Sequence, residues 1–212
     1  MLTLQTFTFN PFSENTYILY TPQGSAWLID PGCCTHSEEV RLRDFIQEKG
    51  LKIEKILLTH AHIDHVFGLQ WAVDTFSLPV HLHANEQEIL ERNPMDARLF
   101  GFDFPAFEGT YVFVDAHTPL SLGETPIAIR FVPGHSPGSI AFYIESQAMI
   151  LSGDALFRRS IGRTDLYKGD YDQLINSIRT QLLTLADDTQ VYSGHGQPTT
   201  IGEEKRLNPF LQ

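Results

Sequence analysis

A chain of 212 residues fits a single domain, since hydrophobic cores stop growing at roughly 250–300 residues. Its 15 Lys plus Arg against 26 Asp plus Glu leave a net charge of −11, which argues against nucleic acid, a partner gripped mainly by basic contacts to phosphate. No apolar run approaches the roughly 18 residues of a membrane span. Met1-Leu2-Thr3-Leu4-Gln5 lacks a signal peptide's basic n-region, and Cys33 and Cys34 are too few for a disulfide framework, so a cytoplasmic home is expected.

Residues 2–9 alternate apolar and polar side chains, the period of a half-buried strand. Strands at 16–20 and 26–30 follow, joined by the turn Pro22-Gln23-Gly24-Ser25 and closed by Pro31-Gly32. Ser37 is the expected N-cap of a helix to about Lys49, with Val40, Leu42, Phe45 and Ile46 as its apolar face and Gly50 as its stop. A strand at 53–58 leads into a His-rich turn and a helix over 66–76. A strand at 79–82 and a helix over 84–91 come next. From Asn93 to Val114 the periodicity fades among Phe100, Phe102, Phe104, Phe107, Tyr111 and Phe113, which reads as a loop packed down by its own aromatics. A substrate lid or subunit contact is the sharper alternative. Strands are expected at 127–132, 139–144 and 148–151, an amphipathic helix over 171–185, and a last strand at 189–192. Two halves of this kind imply an α+β fold, an αββα sandwich of two mixed sheets flanked by helices, spanning residues 1–212 as one domain.

The chemistry concentrates in Thr59-His60-Ala61-His62-Ile63-Asp64-His65, between an apolar strand and an apolar helix. In extended backbone His60 and His62 point to the same side and can share an ion, while the turn into the helix swings Asp64 and His65 toward a neighbouring position. As plain structure, Asp64 would be a helix cap and the histidines ordinary loop residues. Three His and one Asp within six residues outweigh that reading. Imidazole and carboxylate donors suit zinc, and also iron or manganese. Three further strand ends pair a glycine with a potential ligand: Gly134-His135, Gly153-Asp154 and Gly194-His195. Together these are seven ligands, enough for two divalent metals. His81 and His83 have no carboxylate beside them in sequence and read as structural. His36 and His117 read as solvated, and Cys33 as a small buried hydrophobe.

These residues resemble the metallo-β-lactamase superfamily, whose signature HxHxDH is matched by His60-Ala61-His62-Ile63-Asp64-His65. The resemblance covers nearly the whole chain. It implies that His60, His62 and His135 hold one metal, that Asp64, His65 and His195 hold a second, and that Asp154 bridges them. The absence of cysteine from these positions resembles the glyoxalase II (hydroxyacylglutathione hydrolase-like) branch, in its short bacterial subgroup. The implied activity is hydrolysis of a small-molecule thioester, S-D-lactoylglutathione or a related acyl compound, by a hydroxide shared between two ions about 3.5–4 Å apart. Asp64 would ligate, orient and accept a proton, and Thr59 and Ser152 would help to orient ligands.

The chain departs from the longer glyoxalase II enzymes. Their basic C-terminal extension is not expected here, and Gly162-Arg163-Thr164-Asp165 keeps the cation while Asp165 replaces an aromatic ring. Arg163 is therefore the expected grip on an anionic substrate tail. The alternative is a mononuclear iron persulfide dioxygenase on the same scaffold, which Gly153-Asp154-Ala155-Leu156-Phe157 and Arg206-Leu207-Asn208-Pro209 resemble.

Overall fold

The computed structural model describes residues 1–99, 101 and 104–212. The chain forms two compact units, Met1–Phe113 and Val114–Gln212.

In the first unit, β1 (Thr3–Phe9), β2 (Glu14–Tyr20), β3 (Ser25–Ile29), β4 (Lys52–Leu57), β5 (Val80–Leu82) and β6 (Tyr111–Phe113) form one mixed sheet in sequential order. The first three strands pair antiparallel, as the short turn after Thr21 allows. The later strands pair parallel because helices connect them. Those helices are α1 (His36–Glu48), α2 (Ile63–Val66), α3 (Leu69–Phe76) and α4 (Gln87–Leu99), the last continuing a 3-10 turn at Ala84–Glu86. Leu42 and Ile46 of α1, Leu69 and Ala72 of α3, and Ile89 and Leu90 of α4 close over Ile18, Leu28, Ile56 and Val80 to make the core.

In the second unit, β7 (Leu120–Leu122), β8 (Thr125–Phe131), β9 (Ile140–Ile144), β10 (Met149–Gly153), β13 (Gln190–Ser193) and β14 (Thr199–Thr200) form another mixed sheet, ordered β14-β13-β10-β9-β8-β7. A small hairpin of β11 (Leu156–Phe157) and β12 (Ser160–Ile161) stands apart from that ladder. Helix α5 (Tyr171–Ser177) and α6 (Ile201–Leu207) supply Leu174 and Ile201 to a core with Ile150, Ala141 and Val191. The expected α+β class, two mixed sheets with flanking helices, is thus what the chain adopts.

Several boundaries differ from those read in the sequence, each for a local reason. The N-cap of α1 is Thr35, not Ser37, because Thr35 and Glu38 form a capping box: Thr35 Oγ1 accepts from Glu38 N–H (3.3 Å), and the Glu38 carboxylate accepts from Thr35 N–H (3.1 Å). The single helix expected over 66–76 is two helices. They break at Gly68, whose N–H bonds the Pro31 carbonyl (2.8 Å) and whose missing side chain is replaced by the Cys33 sulfur. Helix α4 runs through Pro94 to Leu99, beyond the stop expected near Glu91. The helix expected over 171–185 ends at Leu182, and its second half, Ile178–Leu182, is a π turn. The short strands β6, β7, β11, β12 and β14 and the helix α6 carry too few residues for a periodic signal.

In the aromatic stretch, Phe104, Phe107 and Tyr111 pack against the first core, as a loop held by its own rings should. Phe113 is exposed on β6. Phe100 and Phe102 lie outside the described residues.

Candidate metal centre

Each candidate ligand follows the end of a strand. After β4 the chain carries His60, His62, Asp64 and His65, the last two in the short helix α2. His60 and His65 are fully buried, and the Asp64 side chain keeps partial exposure. The His60 ring lies 4.9 Å from that of His62 and 4.1 Å from that of His65, centroid to centroid. The tip of the β1–β2 hairpin fixes this turn from outside, since Asn10 Nδ2 donates to the carbonyls of Asp64 and Gly32, both at 2.9 Å.

Asp30, at the end of β3, organises the imidazoles. Its backbone is left-handed (φ 50°), a conformation unusual for a residue other than glycine, and it is 1% exposed. Oδ1 accepts from Thr59 N–H (2.7 Å), while Oδ2 accepts from the Thr59 hydroxyl (2.6 Å) and from His65 Nδ1–H (3.1 Å). The Thr59 hydroxyl has one proton, and it is spent on Asp30. Its 3.1 Å contact with His60 Nδ1 must therefore be a bond donated by His60. One carboxylate thus places a proton on Nδ1 of both rings, and in the neutral imidazole that leaves Nε2 as the lone-pair atom a metal ligand offers. Glu14 completes the floor: it is fully buried, accepts from Thr16 Oγ1 (2.9 Å), and burial pushes its carboxyl well above the usual range.

In the second unit, His135 follows β8, Asp154 follows β10 and His195 follows β13. The His135 Nδ1 lies 2.8 Å from the Arg163 carbonyl, which can only accept, so Nδ1 carries the proton here too. Gly162 permits this approach: a Cβ there would overlap the Asp154 carbonyl and come within 3.0 Å of His135 Nδ1. The β11–β12 hairpin leading to Gly162 is anchored at its base, where Ser152 and Ser193 hydroxyls donate to the Leu156 carbonyl (3.1 and 2.6 Å).

The separations between donors fit a metal. Two ligand atoms at 2.0–2.1 Å from one tetrahedral ion stand about 3.4 Å apart, longer than a hydrogen bond. Asp154 Oδ2 is 3.6 Å from His135 Nε2 and 3.5 Å from His195 Nε2. Asp64 Oδ2 is 3.9 Å from His65 Nε2. The donors are imidazoles and carboxylates, a set that suits zinc, iron or manganese.

The other sequence candidates fall elsewhere. Arg163 points its guanidinium at Asp165, with two bonds of 2.7 Å that hold the Asp165 carboxyl down at about 2. His81 is buried and bonded to the Ile56 carbonyl, and burial lowers its pKa. His83 caps the 3-10 turn by accepting from Asn85 N–H, and His36 and His117 are exposed. Cys33 packs in the first core and both cysteines are free thiols.

The Metallo-beta-lactamase superfamily profile matches residues 9–195. The chain belongs to that superfamily. Among its relatives, the hydroxyacylglutathione hydrolase GloC of Haemophilus influenzae is 39% identical over 203 residues, covering 94% of this chain and 93% of GloC. The crystal structure of the BLEG-1 B3 metallo-beta-lactamase is 38% identical with a TM-score of 0.90, covering 99% of this chain and all of that one. That of TTHA1623 in a di-iron-bound form is 39% identical with a TM-score of 0.88, covering 98% and 100%. Superfamily membership and the grouping of His and Asp side chains able to hold a metal together support a metal-dependent hydrolase. Among the described residues, no helix is long and apolar enough to cross a membrane.

The sequence reading missed Asp30, Glu14, Gly162 and the Arg163 carbonyl. Asp30 had a usable signal, a carboxylate ending a strand immediately before Pro-Gly. The others act through contacts made only in the folded chain.

Proposed function

We propose that the chain is a two-metal thioesterase, in which His60, His62 and His135 hold one ion, Asp64, His65 and His195 hold the other, and Asp154 bridges them. The observation that supports this reading is Asp154 Oδ2 standing 3.6 and 3.5 Å from His135 Nε2 and His195 Nε2, one histidine of each proposed set. Bound, the ions supply Lewis acidity and an ionised water at neutral pH. The chain's own residues do the rest. Asp30, Thr59 and the Arg163 carbonyl hold the imidazole protons on Nδ1, and Asp64, whose Oδ2 faces His65 Nε2, accepts a proton at its other oxygen, Oδ1. Arg163 grips an anionic tail of the substrate, exchanging its bond to Asp165 for one to the ligand.

The thioester assignment draws on GloC, named a hydroxyacylglutathione hydrolase, and on a ligand set without cysteine. S-D-lactoylglutathione is the first substrate to assay. In this reading both units serve one catalytic domain in the cytoplasm, with zinc as the first metal to test. The di-iron form of TTHA1623 makes iron the second. The deciding experiment measures metal content, thioester cleavage and persulfide-dependent oxygen uptake on one anaerobic preparation. About two metals per chain with thioester cleavage is the expected result. About one iron per chain with oxygen uptake would overturn it in favour of the dioxygenase. His60→Ala and Asp154→Ala should each abolish turnover, and retained activity in either rejects the two-metal assignment.

A further inference from the structure

The ligand turn leaves its sheet before it reaches the histidines. β4 ends at Leu57, and the next peptide groups find partners one by one: Leu58 N–H on the His81 carbonyl (2.9 Å), and Thr59 N–H on Asp30 (2.7 Å). Ala61, between His60 and His62, is fully buried. Its two peptide groups would be costly there without partners. Both are met by one helix. Ala61 N–H donates to Glu86 Oε2 (2.7 Å), and Asn93 Nδ2 donates to the Ala61 carbonyl (2.9 Å).

Glu86 and Asn93 are seven residues apart, on the same face of the helical stretch that the 3-10 turn and α4 form. Leu90 lies between them on that face, and all three are at most 2% exposed. A carboxylate and an amide at core positions are expensive unless they make bonds of this kind. In extended backbone the N–H and C=O of one residue leave on the same side, where a neighbouring strand would supply one acceptor and one donor. Here Glu86 is the acceptor and Asn93 the donor.

We propose that Glu86 and Asn93 are positioning residues of the metal centre, replacing a missing strand with two side chains that fix Ala61 and so the spacing of the imidazoles on either side. This rests on the reading of His60 and His62 as metal ligands. The two residues touch neither metal nor substrate. Their effect reaches the site through one peptide unit. Rotation of the Ala61 peptide would swing His60 and His62 apart and spoil a geometry that metal binding needs to within about half an ångström.

The test uses the full chain, zinc affinity by chelator competition, and ¹⁵N imidazole spectra of the metal-free protein. Glu86→Ala and Asn93→Leu should each weaken zinc binding roughly 10–100-fold and shift the His60 and His62 signals. Glu86→Gln keeps an acceptor oxygen for Ala61 N–H and should restore affinity close to that of the parent. Leu42→Ala, a cavity in the same core on α1, serves as the control for destabilisation alone and should leave affinity unchanged. Asn93→Leu keeps the branched outline of the side chain and opens no cavity, so it gives a reading if Glu86→Ala fails to fold. His62→Ala separates the two levels of argument. If it loses zinc while Glu86→Ala and Asn93→Leu weaken binding no more than Leu42→Ala does, the positioning role is overturned. If His62→Ala also binds like the parent, the ligand assignment itself fails.

Discussion

Asp30→Asn isolates proton placement from shape. The substitution preserves volume and one carbonyl oxygen, which can still accept from Thr59 N–H. The other oxygen becomes an NH₂ group facing two donors, the Thr59 hydroxyl and His65 Nδ1–H, now 2.6 and 3.1 Å away. Each lost bond to a charged acceptor costs about 1.5–3 kcal/mol. Part returns if the Thr59 hydroxyl rotates to accept from the new amide, but it can then donate only toward His60 Nδ1. A net loss of roughly 2–4 kcal/mol follows, because the site is buried and water cannot take over the orphaned donor. For a chain of this size that lowers the metal-free Tm by roughly 4–16 °C. The specific consequence is tautomeric. Without Asp30, His65 gains by moving its proton to Nε2, and His60 by accepting from Thr59, so both rings lose the lone pair a metal needs. Metal affinity should fall about 10–100-fold, and ¹⁵N imidazole spectra of the metal-free protein should show the His60 and His65 tautomers inverted. Calorimetry, chelator competition and NMR on one preparation give all three readouts. A variant that melts early yet binds zinc within twofold of the parent, with unchanged tautomers, would refute the chain of bonds from His60 through Thr59 to Asp30.

Gly162→Ala should force the Asp154 carbonyl or His135 to move, costing about 1–3 kcal/mol by overpacking and weakening metal binding; parent-like affinity would show that the close approach is dispensable. Arg163→Ala removes the guanidinium but keeps the carbonyl that orients His135, so KM for an anionic thioester should rise with kcat unchanged; an unchanged KM rejects the substrate-tail role. Burial and the bond with Glu38 push the Cys34 thiol up to about 11. The thiolate is the reactive form, so alkylation at pH 7.4 should run roughly 10²-fold slower than for an ordinary cysteine and quicken as pH rises through 11; rapid labelling at neutral pH would contradict this environment.

The candidate ligands were legible because their spacing is local. Histidines two apart in extended chain, then an Asp and a His entering a helix, suggest a shared site in six residues. The strand-end glycines before His135, Asp154 and His195 are likewise local signals. The residues that aim these ligands are not local: Asp30 reaches Thr59 across 29 positions and His65 across 35, and the Arg163 carbonyl reaches His135 across 28. A backbone carbonyl has no side-chain identity to read, so the Arg163 contact was invisible in principle. Glu86 and Asn93 were hidden differently. On a helix, a buried Glu looks like a solvated one until its partner is known, and a helix expected to stop near Glu91 leaves Asn93 off its face, whereas α4 runs on to Leu99.

Together these contacts hold the polar centre through partners supplied by the protein itself. Each ring with a traced Nδ1 partner is oriented by protein: His60 by Thr59, His65 by Asp30, His135 by Arg163. The peptide linking His60 to His62 is held from both ends by Glu86 and Asn93. Each of these bonds joins two protein groups, so the cost of orienting the rings is shared with folding. That distribution accounts for the cost visible elsewhere: a left-handed Asp30, a fully buried Glu14, and a core helix carrying a carboxylate where leucine would be cheaper. An apolar replacement at Glu86 or Asn93 could keep the core packed. It would leave the Ala61 peptide unpaired next to the ligands, which is why stability alone does not account for the choice of residues on that face.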